Sequence, residues 1–164
     1  MGWAKRHKRK NKLVGSFLML PHAVLRSDNF KALSPKAVKL LLDIAVQYNG
    51  KNNGDLQATW RFMKPRGWKS RDTLSSGIRE LLHYGFVEKT RQGYMNVCSL
   101  YALTWCRIDD CGDKFDEGIK PTLVGSGEFK LSKTKFASQR GKIASTEILP
   151  PRHGGSDDEA RMAT

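Results

Sequence analysis

Apolar residues recur at helical spacing in two stretches of the chain, and two shorter runs are β-prone. "LSPKAVKLLLDIAVQYNG", Leu33 to Gly50, carries Val38, Leu41, Leu42, Ala45 and Val46 on one expected helical face. Ser34 suits its N-cap, and Pro35 suits the first helical position, where a missing N–H is harmless. Asn49-Gly50 tolerates the left-handed backbone that ends such a helix. "GWKSRDTLSSGIRELLHYGFV", Gly67 to Val87, carries Leu74, Ile78, Leu81 and Leu82 on an apolar face, with Ser70 as N-cap and Gly85 beyond its end. Between the two, "TWRFMK" starts a helix at Thr59 that Pro65 and Gly67 stop. A short helix is expected near Pro21, and a brief extended segment at Leu56-Gln57. After Gly85, "FVEKT" and "CSLYALTW" are β-prone runs joined by a glycine-containing turn at "RQGYMN", the signature of a hairpin.

The expected order is helix, short strand, helix, turn, helix, hairpin. That is an α+β winged helix-turn-helix: three main helices and a β-hairpin wing, here with a basic N-terminal arm and a C-terminal tail. Three zones follow: an arm at 1–14, the domain at 15–105, and a mostly irregular tail at 106–164. On a helical wheel with Leu74 at the centre, Ile78, Leu81 and Leu82 lie within about 80° of it. Asp72, Ser76, Arg79 and His83 lie opposite, with Thr73 and Glu80 flanking them. A helix that enters the major groove needs such a face: small, polar, and rich in donors near its start. Lys69, Ser70, Arg71, Thr73, Ser76 and Arg79 are the candidate DNA contacts there, and Lys89, Arg91 and Gln92 those of the hairpin. The free N–H groups of the first turn favour a phosphate.

Charge sharpens this picture. The net charge is +13, unevenly placed. Residues 1–12 hold six Lys or Arg and no acid, among them Lys5, Arg6, Lys8, Arg9 and Lys10, with Trp3 embedded. Residues 13–105 hold thirteen basic and six acidic residues, whereas 106–164 hold ten of each. A polyanion would therefore be drawn to the front two-thirds of the chain. The arm cannot build a core and is expected to add non-specific affinity.

Other features suggest less chemistry. The start "MGWAKRHKRKNKLVGSFLML" imitates a signal peptide, but Gly15, Ser16 and Pro21 interrupt the apolar run and no A-x-A-like cleavage site follows. Cys98, Cys106 and Cys111, odd in number and irregular in spacing, predict neither a disulfide framework nor zinc, which wants paired ligands two to four residues apart. A reducing, cytoplasmic setting is expected. "DDCGDKFDEG", Asp109 to Gly118, lacks calcium-loop spacing, so a solvated acidic turn is expected, or an electrostatic partner within the chain. No phosphate-loop, nucleophile-elbow or zinc-protease motif is present. The expectation is a protein without cofactor, metal or enzymatic activity, and not a membrane protein.

The stretches "LSPKAVKLLLDIAVQYNGKNNGDL", "RGWKSRDTL", "IRELLHYGFVEKTRQG" and "CSLYALTW" resemble small winged-helix proteins of bacterial phages, plasmids and integrated elements. These proteins are similar in turn to the N-terminal domains of replication initiators. The resemblance covers Phe17 to Trp105. It implies that Ser70, Arg71, Thr73, Ser76 and Arg79 sit on a recognition helix and Arg91 and Gln92 on a wing. It implies a sequence-specific double-stranded DNA-binding protein, such as a transcription regulator of a mobile element. Alternatives are a plasmid or phage replication initiator, an RNA binder working through the arm, or a protein–protein adaptor using the tail.

Overall fold

The computed structural model describes residues 15–137. The arm, with Trp3, Lys5, Arg6, Lys8, Arg9 and Lys10, lies outside the described residues, as does the end of the tail from 138. Among the described residues the architecture is α+β, with five helices and one small antiparallel sheet. The helices are α1 His22–Arg26, α2 Asp28–Ala32, α3 Pro35–Ala45, α4 Trp60–Met63 and α5 Arg71–His83. The strands are β1 Leu56–Gln57, β2 Val87–Arg91 and β3 Leu100–Leu103.

Local chemistry explains the helix starts. Ser34 Oγ accepts from the Ala37 N–H, and Pro35 opens α3. Ser70 Oγ accepts from the Thr73 N–H at the start of α5. The short helix expected near Pro21 is two helices meeting at Ser27, whose hydroxyl donates to Val24 O and accepts from the Phe30 N–H. A 3-10 turn over Lys64–Arg66 follows α4, and Gly67 turns the chain at φ 88° before α5. A side chain is strained in that left-handed region, which glycine enters freely.

Both long helices bury a face rotated from the expected one. The α3 core residues are Ala37, Leu40, Leu41, Ile44 and Ala45, whereas Leu42 and Val46 are 43% and 55% exposed. On α5 the buried set is Leu74, Gly77, Glu80 and Leu81, and Ile78 and Leu82 are only partly covered. The reason is the contact between the two helices. A Cβ on Gly77 would lie 3.0 Å from Leu40 Cδ2, so the missing side chain lets α3 and α5 approach closely. The apolar run "VKLLLDIAV" accommodates either stripe, and this close approach selects the one carrying Leu40 and Ile44.

The sheet order is β1-β3-β2, with Leu56 opposite Tyr101 and Val87 opposite Leu103. β2 starts one residue later than "FVEKT" and runs one residue further, to Arg91, with a bulge between Lys89 and Arg91. β3 starts only at Leu100, so Cys98 lies in the connection rather than on a strand. The core between sheet and helices contains Leu40, Leu41, Ile44, Leu56, Met63, Leu81, Tyr84, Phe86 and Leu103.

After Trp105 the described chain forms one 3-10 turn, Glu128–Lys130, and is otherwise irregular. It nevertheless packs closely. Phe129 is 3% exposed and its ring stacks on Phe86, 6.2 Å between centroids. The buried Asn29 amide donates to Tyr84 O, Phe129 O and Leu131 O, joining α2, the end of α5 and this segment. Asn53 and Asp109 exchange bonds: the Asp109 N–H donates to Asn53 O, and the Asn53 N–H to Asp109 Oδ2. Asn53 Nδ2 also donates to Leu103 O and Arg107 O, and its Oδ1 accepts from the Leu103 N–H. Buried polar groups need such partners, and these are largely backbone atoms.

Candidate nucleic-acid interface

The turn between α4 and α5 is fixed by one carboxylate on α3. Asp43 Oδ2 accepts from Trp68 Nε1 at 2.8 Å and from Lys39 Nζ at 2.6 Å, and Arg66 Nη1 lies 3.7 Å from Oδ1. Lys39 also donates to Arg66 O and sits over the Trp68 ring, 5.0 Å from its centroid. The start of α5 is therefore held on a rigid base. Lys69, Ser70 and Thr73 line a shallow depression of about 250 Å³ with Lys36, Lys39, Gly67 and Trp68. Lys36, on α3, is not among the contacts expected from the sequence, because it lies two helices before α5 in the chain.

Along α5, Arg71, Asp72, Ser75 and Arg79 are exposed, and Thr73 and Ser76 are partly so. The structure thus brings Lys69, Ser70, Arg71 and Thr73 to one helix start, with Arg79 two turns further along the exposed side. Ser75, another hydroxyl of the first turns, is exposed beside them. The Arg71 guanidinium carbon sits 5.6 Å from the Trp60 ring centroid, which limits where that cation points. Asp72 stands in the first turn, where the helix dipole favours a negative charge.

Glu80 corrects the wheel. It is 8% exposed and faces α3, not the polar side. Its Oε1 accepts from the Ser34 N–H at 2.6 Å and its Oε2 from the Ser34 hydroxyl at 2.8 Å. A carboxylate from α5 thus completes the N-terminal cap of α3, like the far half of a capping box supplied from another helix. It does not oppose phosphate contact on the exposed face. His83, at the other end of α5, meets Thr134 O through Nε2 at 2.7 Å and packs against Phe136. That end of the helix is covered by the segment after Trp105.

The hairpin offers less free charge than its composition suggests. Lys89 is exposed, with Nζ donating to Gln92 Oε1 at 2.6 Å. Arg91 donates through Nε to Cys98 O at 3.1 Å and is partly buried, so it braces the loop. The Gln92 N–H donates to Asp116 Oδ2, and the Asp116 N–H donates to Thr90 O. The acidic stretch therefore lies along the hairpin edge and is not merely a solvated turn. Lys114 bonds Asp55 in the same region, and that partner raises its pKa.

Arg61, Lys64, Lys69, Arg71, Arg79, Lys89 and Arg91 have no carboxylate partner among the described residues. The cations that are paired are Lys31, Lys39, Arg66, Arg107 and Lys114. Arg26, Lys36, Lys51, Lys120, Lys130, Lys133 and Lys135 are likewise without a carboxylate partner among the described residues, so half of the unpaired cations lie between Arg61 and Arg91, on or beside α4, α5 and the hairpin.

Neither Cys106 nor Cys111 is an activated thiol. Burial raises both pKa values, with Asp109 adding to it at Cys106 and Asp55 and then Asp109 at Cys111. The three cysteines are unpaired, and no His, Cys, Asp and Glu cluster among the described residues could hold a metal. No helix among the described residues is long and apolar enough to cross a membrane. Comparison with protein-family models, with curated proteins and with solved structures finds no match.

Proposed function

We propose that the chain is a winged helix-turn-helix protein that binds double-stranded DNA in the cytoplasm, without enzymatic activity of its own. The observation that carries this reading is the set of exposed cations on α4, α5 and the hairpin that lack a carboxylate partner among the described residues. Unpaired surface charge that is mostly positive, Asp72 being the exposed acid on α5, on elements in helix-turn-helix order matches a polyanion that presents a groove. In this reading α4 and α5 form the helix pair and α5 enters the major groove. Arg71 and Arg79 reach base edges, and Ser76 allows close approach. Lys69, Ser70 and Thr73 meet phosphate at the helix start, where free N–H groups point outward. Lys89, Arg91 and Gln92 serve backbone or minor groove, with Lys89 carrying more of the charge because Arg91 also braces Cys98 O. The arm adds sequence-independent attraction through Lys5, Arg6, Lys8, Arg9 and Lys10. The role this supports is a transcription regulator of a mobile element, with replication initiation requiring, in addition, a protein partner or self-association.

The described part of the tail is occupied by contacts to its own domain, which favours DNA binding over an adaptor that works through that segment. Titration of the full chain with a fluorescent duplex, in competition with a structured RNA, tests the assignment. The duplex is expected to resist displacement by RNA. Displacement by RNA at equal nucleotide concentration would transfer the function to RNA, and no binding of either at low salt would remove nucleic acid altogether.

A further inference from the structure

The end of the β2–β3 hairpin is built to hold two large apolar side chains in solvent. Tyr94 is 71% exposed and Met95 70%. The turn beneath them is not loose. Tyr94 and Val97 exchange both backbone bonds, at 3.0 and 2.9 Å, enclosing only Met95 and Asn96. Asn96 takes φ 62°, a left-handed conformation that asparagine tolerates better than most residues. One step further in, the Gly93 N–H donates to Ser99 Oγ at 2.9 Å, and a Cβ on Gly93 would lie 2.7 Å from Ser99 N. Arg91 then closes the base of the loop on Cys98 O. Three successive ties stiffen a hairpin whose tip buries nothing of its own.

We propose that Tyr94 and Met95 form a wedge that enters the minor groove of duplex DNA and parts a base step. The inference rests on the DNA-binding reading above and names what the hairpin does within it. Charge favours this occupant. From Gln92 to Tyr101 the loop has no acid, and Lys89 and Arg91 at its base have no carboxylate partner among the described residues; Asp116, which accepts from the Gln92 N–H, places its negative charge at the base of the hairpin and not at its tip. Size favours it as well. The minor groove is about 6 Å wide and admits a hairpin tip only through its end side chains. A protein interface of ordinary stability buries on the order of 1,200 Å² or more, far beyond two side chains. Apolar wedges of this kind unstack one step and bend the duplex by roughly 20–90°. Tyrosine adds a ring that can stack on an exposed base.

The test uses the full chain and a short TA-rich duplex with 2-aminopurine in its central steps and a donor–acceptor dye pair at its ends. TA steps unstack most readily. Binding of the unaltered protein is expected to brighten 2-aminopurine and shorten the end-to-end distance. The double variant Tyr94→Ala, Met95→Ala keeps its fold, because both side chains are exposed; an unchanged melting curve verifies this. It is expected to lose both signals and to bind roughly fivefold to a hundredfold more weakly. Binding by the unaltered protein with neither signal would overturn the wedge and leave DNA binding standing. Equal signals from the double variant would do the same. No binding to the duplex would overturn both readings. Retention of the unaltered protein on phosphatidylserine vesicles, lost in the variant and without either DNA signal, would reassign the tip to a lipid surface.

Discussion

The two ends of α5 differ in what surrounds them. Where its C-terminal half meets α3, α2 and the segment after Trp105, its polar groups have partners within the chain. Glu80 caps α3 through Ser34, His83 meets Thr134 O, and Tyr84 O accepts from Asn29. At its N-terminal end Lys69, Arg71, Asp72 and Ser75 face solvent, as does Arg79 two turns further along the same side, and the cations among them have no carboxylate partner among the described residues. One helix thus has an end that belongs to the fold and an end that the fold leaves available. Composition alone hides the difference, since both halves contain charged residues. What separates them is whether a carboxylate or carbonyl from elsewhere in the chain arrives to engage each group.

This contrast predicts that substitutions at the two ends act on different quantities. The largest effect belongs to the covered end. Phe129→Ala removes the ring stacked on Phe86 and should lower stability by about 3–5 kcal/mol in urea or guanidinium unfolding. A loss within experimental error would mean that the segment after Trp105 does not belong to the folded unit. Glu80→Ala should lower stability by about 1–3 kcal/mol, because it leaves two partly buried Ser34 donors without their acceptor. Asp72→Ala, on the same helix, should change it by no more than about 1 kcal/mol, the typical worth of an exposed charge near a helix start. Equal losses from the two acids would erase the distinction between the ends.

At the open end, Arg71→Ala and Arg79→Ala should leave the melting temperature unchanged and weaken binding to a defined duplex by about 1–3 kcal/mol each, if each contacts a base. Deleting residues 1–12 should reduce the slope of log affinity against log salt, since fewer counterions are released. An unchanged slope would assign the arm another role. The smallest effect concerns Glu88 on β2. Burial raises its pKa, the Ser126 bond opposes this, and Glu128 adds to it. Its folded state then holds the proton more tightly than the unfolded chain, so stability falls as pH rises through the window above the ordinary Glu range and levels off beyond it. Glu88→Gln should flatten that slope in pH-dependent unfolding.

Much of the fold was legible in local signals. Ser34, Pro35 and Ser70 act through neighbours in sequence, so their capping roles could be read directly. The three-helix order and the hairpin followed from apolar spacing and glycine-bearing turns. The phase of α3 was not legible, because Val38, Leu41, Leu42, Ala45 and Val46 form as plausible a stripe as the one buried. Gly77 was the available clue, as a residue without a side chain in the middle of a helix that elsewhere packs leucines. Glu80 was misread for a related reason. A carboxylate on a helix is ordinarily solvated, and its partner Ser34 lies 46 residues away. The packing of 106–137 depends on backbone carbonyls meeting Asn29 and Asn53, contacts that no hydrophobic pattern announces. Of the candidate site, the basic helix start was legible from composition. The bracing role of Arg91, the place of Lys36 beside the start of α5, and the presentation of Tyr94 and Met95 needed three-dimensional neighbours.

The central claim is that the open end of α5, with the hairpin, reads duplex DNA. Selection of the full chain against a random duplex library at near-physiological salt, followed by sequencing of the retained pool, tests it most directly. A recovered motif is the predicted result, and its symmetry would report whether one copy or two engage the site. Failure to retain DNA would contradict the account, and retention of a pool that stays random would contradict sequence-specific reading.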